Sequence, residues 1–328
     1  MKNLDLKDKK LFYLLTENSR LRAGEIAKRV GLSKNSVKYR ISRLVERGYI
    51  KKFLPITNYQ RFGVYTYDIF LKLRMTAEQE QKFADYFANH SNILWGCFLF
   101  GTWDMFAQIA VKDVEDFSRV LDEMIIFFGE ALETYEVRFP VKRLKIDRTV
   151  FDYEKETGYK FRPHKQDFAK IVQLDSLDKK VLRYLNSKNG LASYNEVARA
   201  VGASLETTRN HMIALMKSGV IVKYAPVVGY DKFGMEMYLV TMDFRYLTPD
   251  VKESVKKYIL HQKAIKIVFE MIGRQGIYFM AAVNSPRELD SLLKSIRARF
   301  HNYVLDVDHM LITGEPKLDF FPKALEDS

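Results

Sequence analysis

Hydrophobic positions along the chain follow first a helical and then an alternating period, and the whole pattern occurs twice. Over 5–16, Leu11, Leu14 and Leu15 fall at helical spacing, with Asp5 placed to cap the helix. Ile26, Ala27 and Val30 give a second helix over 23–30, stopped by Gly31. Val37, Ile41 and Leu44 mark one buried stripe of a third helix over 34–47, capped by Ser33. Gly48 ends it, and YIKKFLPI reads as an extended strand. Three short helices with a tight turn before the third predict a helix-turn-helix, and the strand makes it winged.

The period then changes. Residues 65–75 alternate as a strand does, and 76–90 place Phe83, Tyr86 and Phe87 on one side of a helix. Two strands over 92–111 flank a turn at Gly101–Asp104. A helix over 113–128 buries Phe117, Val120, Leu121 and Met124, and 134–144 form a last strand. The order β-α-β-β-α-β is the ferredoxin-like arrangement.

Both modules return about half a chain later. LDLKDKKLFYLL at 4–15 reappears as LDSLDKKVLRYL at 174–185. Between 26 and 53 the shift is 171 residues, and 8 of 28 positions are identical, among them Gly31/Gly202, Ser33/Ser204, Leu44/Leu215 and Gly48/Gly219. Gly101 aligns with Gly273 at a shift of 172. The predicted fold class is α+β: two tandem copies of a winged helix-turn-helix domain followed by a ferredoxin-like βαββαβ domain. The boundaries fall at 1–60 and 61–146, a connector at 147–173, then 174–231 and 232–328. Pairing of the two sandwich domains within one chain is the expectation, with pairing between chains as the alternative.

Composition sharpens this picture. At 328 residues, 47% hydrophobic and 29% charged, the chain reads as globular. A net charge of +12 favours a polyanionic partner. That charge is uneven: 5–53 carry +9 and 175–224 carry +4, while the third-helix segments 31–47 and 202–218 carry +4 and +1. The single cysteine, Cys97, excludes an intramolecular disulfide and reads as a core residue. No run of 18 apolar residues exists, so no membrane span is expected, and the absence of an apolar leader in MKNLDLKDKK gives a cytoplasmic expectation.

Off the apolar stripe, the third helix carries Lys34, Asn35, Ser36, Lys38, Tyr39, Arg40, Arg43 and Arg47, and Lys51 and Lys52 follow on the strand. Arg can grip guanine bidentately, Asn can grip adenine, and Lys or Ser can hold phosphate. Double-stranded DNA is therefore the expected partner, with an ordinary solvated face as the plain alternative. In the second copy Leu205 and Glu206 replace Lys34 and Asn35, and Arg209 is the main remaining cation. The first helix-turn-helix is expected to be the principal reader.

The two segments LDLKDKKLFYLL and EIAKRVGLSKNSVKYRISRLVERGYIKKF resemble the N-terminal domain of the Lrp/AsnC family of transcription regulators. Gly31, Leu32, Ser33, Val37, Arg40, Ile41, Arg43, Leu44, Gly48 and Ile50 carry the likeness, and Lys34 departs from the family's frequent Pro. The resemblance implies a ferredoxin-like effector domain, a homo-oligomer with a dimer favoured, and a small-molecule effector such as an amino acid. It points to Gly101 and Asp104 of GTWD as effector-binding residues, the Asp holding an ammonium group. Gly and Asp also make a good hairpin turn, and both readings stay open. The second copy reads GRQG, with Gly276 in place of the Asp and Arg274 added.

No enzyme is expected. None of His90, His164, His211, His261, His301 and His309 sits at zinc spacing with Cys or Glu, no Gly-rich phosphate loop is present, and DVDHM reads as an ordinary strand. No catalytic residue, metal ligand or cofactor is assigned. Sirohaem decarboxylases have a similar tandem architecture and remain the enzymatic alternative. His301-Asn302-Tyr303 is out of place for that role, and the middle strands contain no histidine. A ligand-sensing scaffold without DNA binding is the third class.

Overall fold

The computed structural model describes residues 4–151, 171–187, 189–272 and 276–322. Asp5 caps α1 (Leu6–Glu17): its carboxylate accepts from the Asp8 amide, and Asp8 accepts from the Asp5 amide. This reciprocal closure satisfies two donors that a helix start leaves free. Helix α2 (Ala23–Val30) ends at Gly31, whose φ of 68° is left-handed and costs a glycine little. Ser33 accepts from the Ser36 amide and opens α3 (Lys34–Glu46), a cap contributing about 1 kcal/mol. Val37 and Leu44 are buried as expected, whereas Ile41 stays partly exposed. Strand β1 (Ile50–Thr57) follows.

The first sandwich is β2 (Tyr65–Leu73), α4 (Ala77–Asn89), β3 (Ile93–Phe100), β4 (Met105–Val111), α5 (Val114–Phe128) and β5 (Leu132–Ile146). The second half repeats the series: α6 (Ser176–Ser187), α7 (Tyr194–Val201), α8 (Leu205–Lys217) and β6 (Ile221–Val228). Then come β7 (Glu236–Phe244), α9 (Pro249–His261), β8 (Ile265–Ile272), β9 (Gly276–Val283), α10 (Pro286–Phe300) and β10 (Val304–Leu318). Most of the predicted connector, 152–170, lies outside the described residues, as do Gly273 and Arg274. Among the described residues no helix is long and apolar enough to cross a membrane.

The described chain divides into two compact units, and each unit takes one module from each half. In the first, the two helix-turn-helix modules join through β1 and β6, which pair antiparallel. Each strand thus finds its partner in the other module. The join has approximate two-fold symmetry. The Ser19 amide donates to the Tyr224 carbonyl at 3.0 Å, and the Gly190 amide, 171 residues on, donates to the Phe53 carbonyl at 2.9 Å. The Asn58 amide to the Val220 carbonyl, at 2.9 Å, is matched by the Gly229 amide to the Tyr49 carbonyl, at 3.1 Å.

In the second unit eight strands close a barrel in the order β10-β3-β4-β2-β5-β8-β9-β7. Either sandwich alone would leave β3 and β5, or β8 and β10, as open edges, which invite unwanted pairing. Here β5 pairs with β8 and β10 with β3, so closure removes the edges. That double duty explains why β5 outruns the predicted 134–144: Asp68 to Leu73 hydrogen-bond to its first part, and Ile267 to Ile272 to its second. Phe139 opposite Ile272 and Leu311 opposite Phe100 are the same contact in the two copies.

One core lies under the helices of each sandwich. One contains Phe83, Phe87, Phe117 and Met124, and the other Val255, Ile259, Leu293 and Ile296. A third core lies between the sheets and includes Phe70, Trp95, Cys97, Phe106, Leu239, Met280 and Met310. Cys97 is fully buried there, and burial pushes its thiol well above the usual range, as befits a core residue.

Candidate nucleic-acid interface

The capped start of α3 presents its free amides and the positive end of the helix dipole, a combination suited to phosphate. Lys34, Asn35, Lys38, Tyr39 and Arg47 are exposed on this helix, with Ser36 and Arg43 half-buried beside them. Tyr39 is 64% exposed, and the Arg43 guanidinium lies 5.7 Å from the centre of its ring. That contact orders both side chains on the outer face. Lys34 lies along α2, its Cε 3.0 Å from where a Cβ on Gly24 would sit. Lys51 is exposed on β1 and Lys52 half-buried.

Arg40 departs from expectation. Its Nη1 lies 2.8 Å from Asp5 Oδ2 and 2.6 Å from Asp8 Oδ1, and Asp8 is 5% exposed. The guanidinium holds α3 to the start of α1 and does not project as a base reader. Burial alone would raise the Asp5 carboxyl, but the Asp8 amide and the Arg40 guanidinium hold it below the ordinary range. The same hydrogen bonds raise the pKa of Arg40.

In the second copy, Leu205, Glu206, Arg209 and Asn210 are exposed at the start of α8, which Ser204 caps. His211 replaces Arg40 at the start of α6. Its Nδ1 lies 2.8 Å from Asp178 Oδ1 and 3.8 Å from Asp175 Oδ2. Residue types and helix positions match in both copies, except that a guanidinium has become an imidazole. The reading of histidine spacing considered Cys and Glu as partners; with Asp as partner, Asp175, Asp178 and His211 bring their ligand atoms within 4.8 Å of one another. Their 33-residue separation, across two helices, hid the cluster from any spacing rule.

At the loop expected to hold an effector, the geometry is that of the hairpin-turn alternative. Asp104 accepts from Lys72 Nζ at 3.1 Å and from the Leu73 amide at 2.7 Å, so its carboxylate closes the hairpin against β2. Gly101 has a φ of 156°, and a Cβ there would come within 2.9 Å of Met310 Cγ and 3.1 Å of the His309 carbonyl. Its glycine is required by close packing on β10.

Polar groups inside the barrel escaped the sequence reading. Asp68 is fully buried and accepts from Gln108 Nε2 at 3.0 Å. Desolvation pushes its carboxyl up to about 7, against the opposing influence of Gln108, Tyr278 and Arg138. The Tyr278 hydroxyl and Asp68 Oδ2 lie close enough to influence each other, yet neither completes a hydrogen bond of ordinary geometry. Arg138 is bonded to Glu136 at 2.7 Å and lies 3.5 Å from Asp243. The available signal was Asp68 alternating with Tyr67 and Ile69 along the strand.

The family model described as winged helix-turn-helix DNA-binding matches residues 4–51 and again 174–222. The proline dehydrogenase transcriptional activator of Rhizobium radiobacter is 30% identical over 126 residues, 38% of this chain and 80% of that protein. The HTH-type transcriptional regulator FL11 of Pyrococcus furiosus is 30% identical over 119 residues, 36% of this chain and 78% of its own. Among solved structures, the sirohaem decarboxylase NirDL shares the fold over 98% of this chain and 96% of its own, with a TM-score of 0.65 and 16% identity. At that identity the likeness is one of fold alone. With its winged helix-turn-helix modules and these relatives, the chain belongs to the family of HTH-type transcriptional regulators.

Proposed function

We propose that the protein is a sequence-specific, DNA-binding transcription regulator of the Lrp/AsnC kind, in which one chain supplies the paired modules that a dimer otherwise provides. The observation that carries this reading is the outer face of α3, where Lys34, Asn35, Lys38, Tyr39, Arg43 and Arg47 follow a capped, positive helix start. In helix-turn-helix proteins the N-terminal residues of this helix reach base edges in the major groove. Asn35 and Lys38 take that place, while Ser36, Arg43, Arg47, Lys51 and Lys52 hold phosphates. The second module, with Arg209 its main exposed cation on α8, is a weaker and asymmetric partner. A cytoplasmic location and further pairing of whole chains belong to the same reading. An amino-acid effector would have to be held without the carboxylate of Asp104.

The test is duplex binding measured against salt. Release of counterions from roughly 4–5 phosphates gives a log–log slope of about −3 to −5. Absence of binding to any duplex at low salt would sink the reading. Selecting bound genomic fragments would then give the operator.

A tetrapyrrole decarboxylase is the second reading, favoured by the fold likeness to NirDL across nearly the whole chain. The buried Asp68, Tyr278 and Arg138 supply polar groups between the sheets, but β3, β4, β8 and β9 contain no histidine. Titrating purified protein with sirohaem separates the two readings. A stoichiometric Soret shift favours the enzyme, and an unchanged spectrum the regulator.

A further inference from the structure

We propose that Asp175, Asp178 and His211 form a binding site for a divalent transition-metal ion of zinc-like preference, which clips α8 to the start of α6. The inference does not depend on DNA binding.

The two halves of the chain supply the comparison. In the first, one oxygen of each carboxylate is used in the helix cap, and the other faces Arg40 Nη1, at 2.8 Å for Asp5 and 2.6 Å for Asp8. A cation is therefore held between Asp5 Oδ2 and Asp8 Oδ1. The second half keeps the cap: Asp175 Oδ1 accepts from the Asp178 amide at 2.8 Å, and Asp178 Oδ2 from the Asp175 amide at 3.3 Å. Once again Asp175 Oδ2 and Asp178 Oδ1 are left facing the third helix. The residue they meet is His211, whose imidazole Nδ1 lies 2.8 Å from Asp178 Oδ1 and 3.8 Å from Asp175 Oδ2. The place that holds a guanidinium between two carboxylates in the first half thus holds a metal-ligating side chain in the second.

An imidazole nitrogen can donate to a metal ion, which a guanidinium cannot. One imidazole nitrogen and two carboxylate oxygens, all within 4.8 Å of one another, form a three-ligand set with room for water in a fourth position. Imidazole with carboxylate suits zinc and its first-row neighbours better than magnesium or calcium, which favour all-oxygen sites. Access is open, since the side chains of His211 and Asp175 are 25% and 59% exposed. The ion would take the place between two carboxylate oxygens that the Arg40 guanidinium holds in the first copy. It would join the same two helices that the ion pair joins in the first copy.

The test uses the full chain, stripped with a chelator and titrated with zinc chloride by calorimetry, with no DNA present. Cobalt(II) absorption in the visible range is a second readout, and thermal unfolding with and without zinc a third. The expected result is one saturable equivalent and a rise in melting temperature. Both should be lost in His211→Ala. His211→Arg rebuilds the ion pair of the first copy, so it should melt at or above the zinc-free parent and show no response to zinc or cobalt. A wild-type chain that binds no zinc overturns the proposal. So does a zinc isotherm unchanged in His211→Arg, which keeps the test decisive if the alanine variant fails to fold.

Discussion

Leu54 of β1 lies directly opposite Ala225 of β6, and the two are the same position in the two halves of the chain. A residue can face its own counterpart only where an antiparallel pair crosses a two-fold axis. The pseudo-dyad of the joined helix-turn-helix modules therefore passes between them. Both are buried, at 1% and 0% exposure. An aspartate in place of Ala225 would put a carboxylate on that axis, inside the buried join. Ala225→Asp is expected to cost about 2–5 kcal/mol and to separate the melting of the helix-turn-helix unit from that of the barrel. A single transition at the parent denaturant midpoint would contradict this.

Arg40→Ala should behave as a folding variant. It removes the cation from Asp8, a carboxylate with almost no access to water, and a loss of about 2–3 kcal/mol is expected. The acid limb should change too. Because the folded pKa of Asp5 is depressed, its contribution is present above the unfolded value and lost as pH falls through the folded one. Without Arg40 that loss becomes smaller. Chemical denaturation at pH 7 and at pH 3 measures both effects. Equal acid sensitivity in parent and variant would refute this account of the ion pair.

Arg47→Ala and Arg43→Ala should leave stability within about 0.5 kcal/mol of the parent, as expected for surface positions. Each should also flatten the salt dependence of duplex binding by about one unit of slope. Arg209→Ala, on the less basic copy, should change the slope much less. Equal losses from the two halves would remove the asymmetry between them. The three variants are read by binding titrations at several salt concentrations.

Local periodicity and capping chemistry were enough to place the helices, because Asp5, Ser33 and Gly31 act over three or four residues. The duplication was equally legible, since Gly202, Ser204 and Gly219 repeat the stops and caps. Side-chain destinations were harder to read. Arg40 shares a helix face with residues of DNA-binding type, and only the packing of α1 on α3 shows that its charge is already used. Asp104 sits in a turn that suits a ligand or a hairpin equally well, and the neighbouring Lys72 decides which. Asp68 alternates correctly for a solvent-facing strand position. Closure of the barrel turns that face inward, and closure depends on strand pairs far apart in the chain, such as Phe139 with Ile272 and Phe100 with Leu311. No local pattern encodes it.

The buried Asp68 gives the barrel its own pH signature. Its folded pKa is raised to about 7, whereas in the unfolded chain it sits near the ordinary 3.8. Below the unfolded value the carboxyl is protonated in both states and costs nothing. Between the two values the folded state holds a proton that the unfolded state has released, so stability falls as pH rises. Above about 7 the full penalty of a buried charge is present, on the order of 4 kcal/mol. Asp68→Asn keeps an oxygen to accept from Gln108 and gains an amide that can donate to Tyr278, with no charge to desolvate. The variant should match the parent near pH 4 and exceed its stability at pH 8. Denaturant titrations of both proteins across that range are the measurement. A parent whose stability is flat between pH 4 and 8, or a variant less stable than the parent at pH 8, would show that the carboxylate is ionised and held by Arg138 inside the barrel.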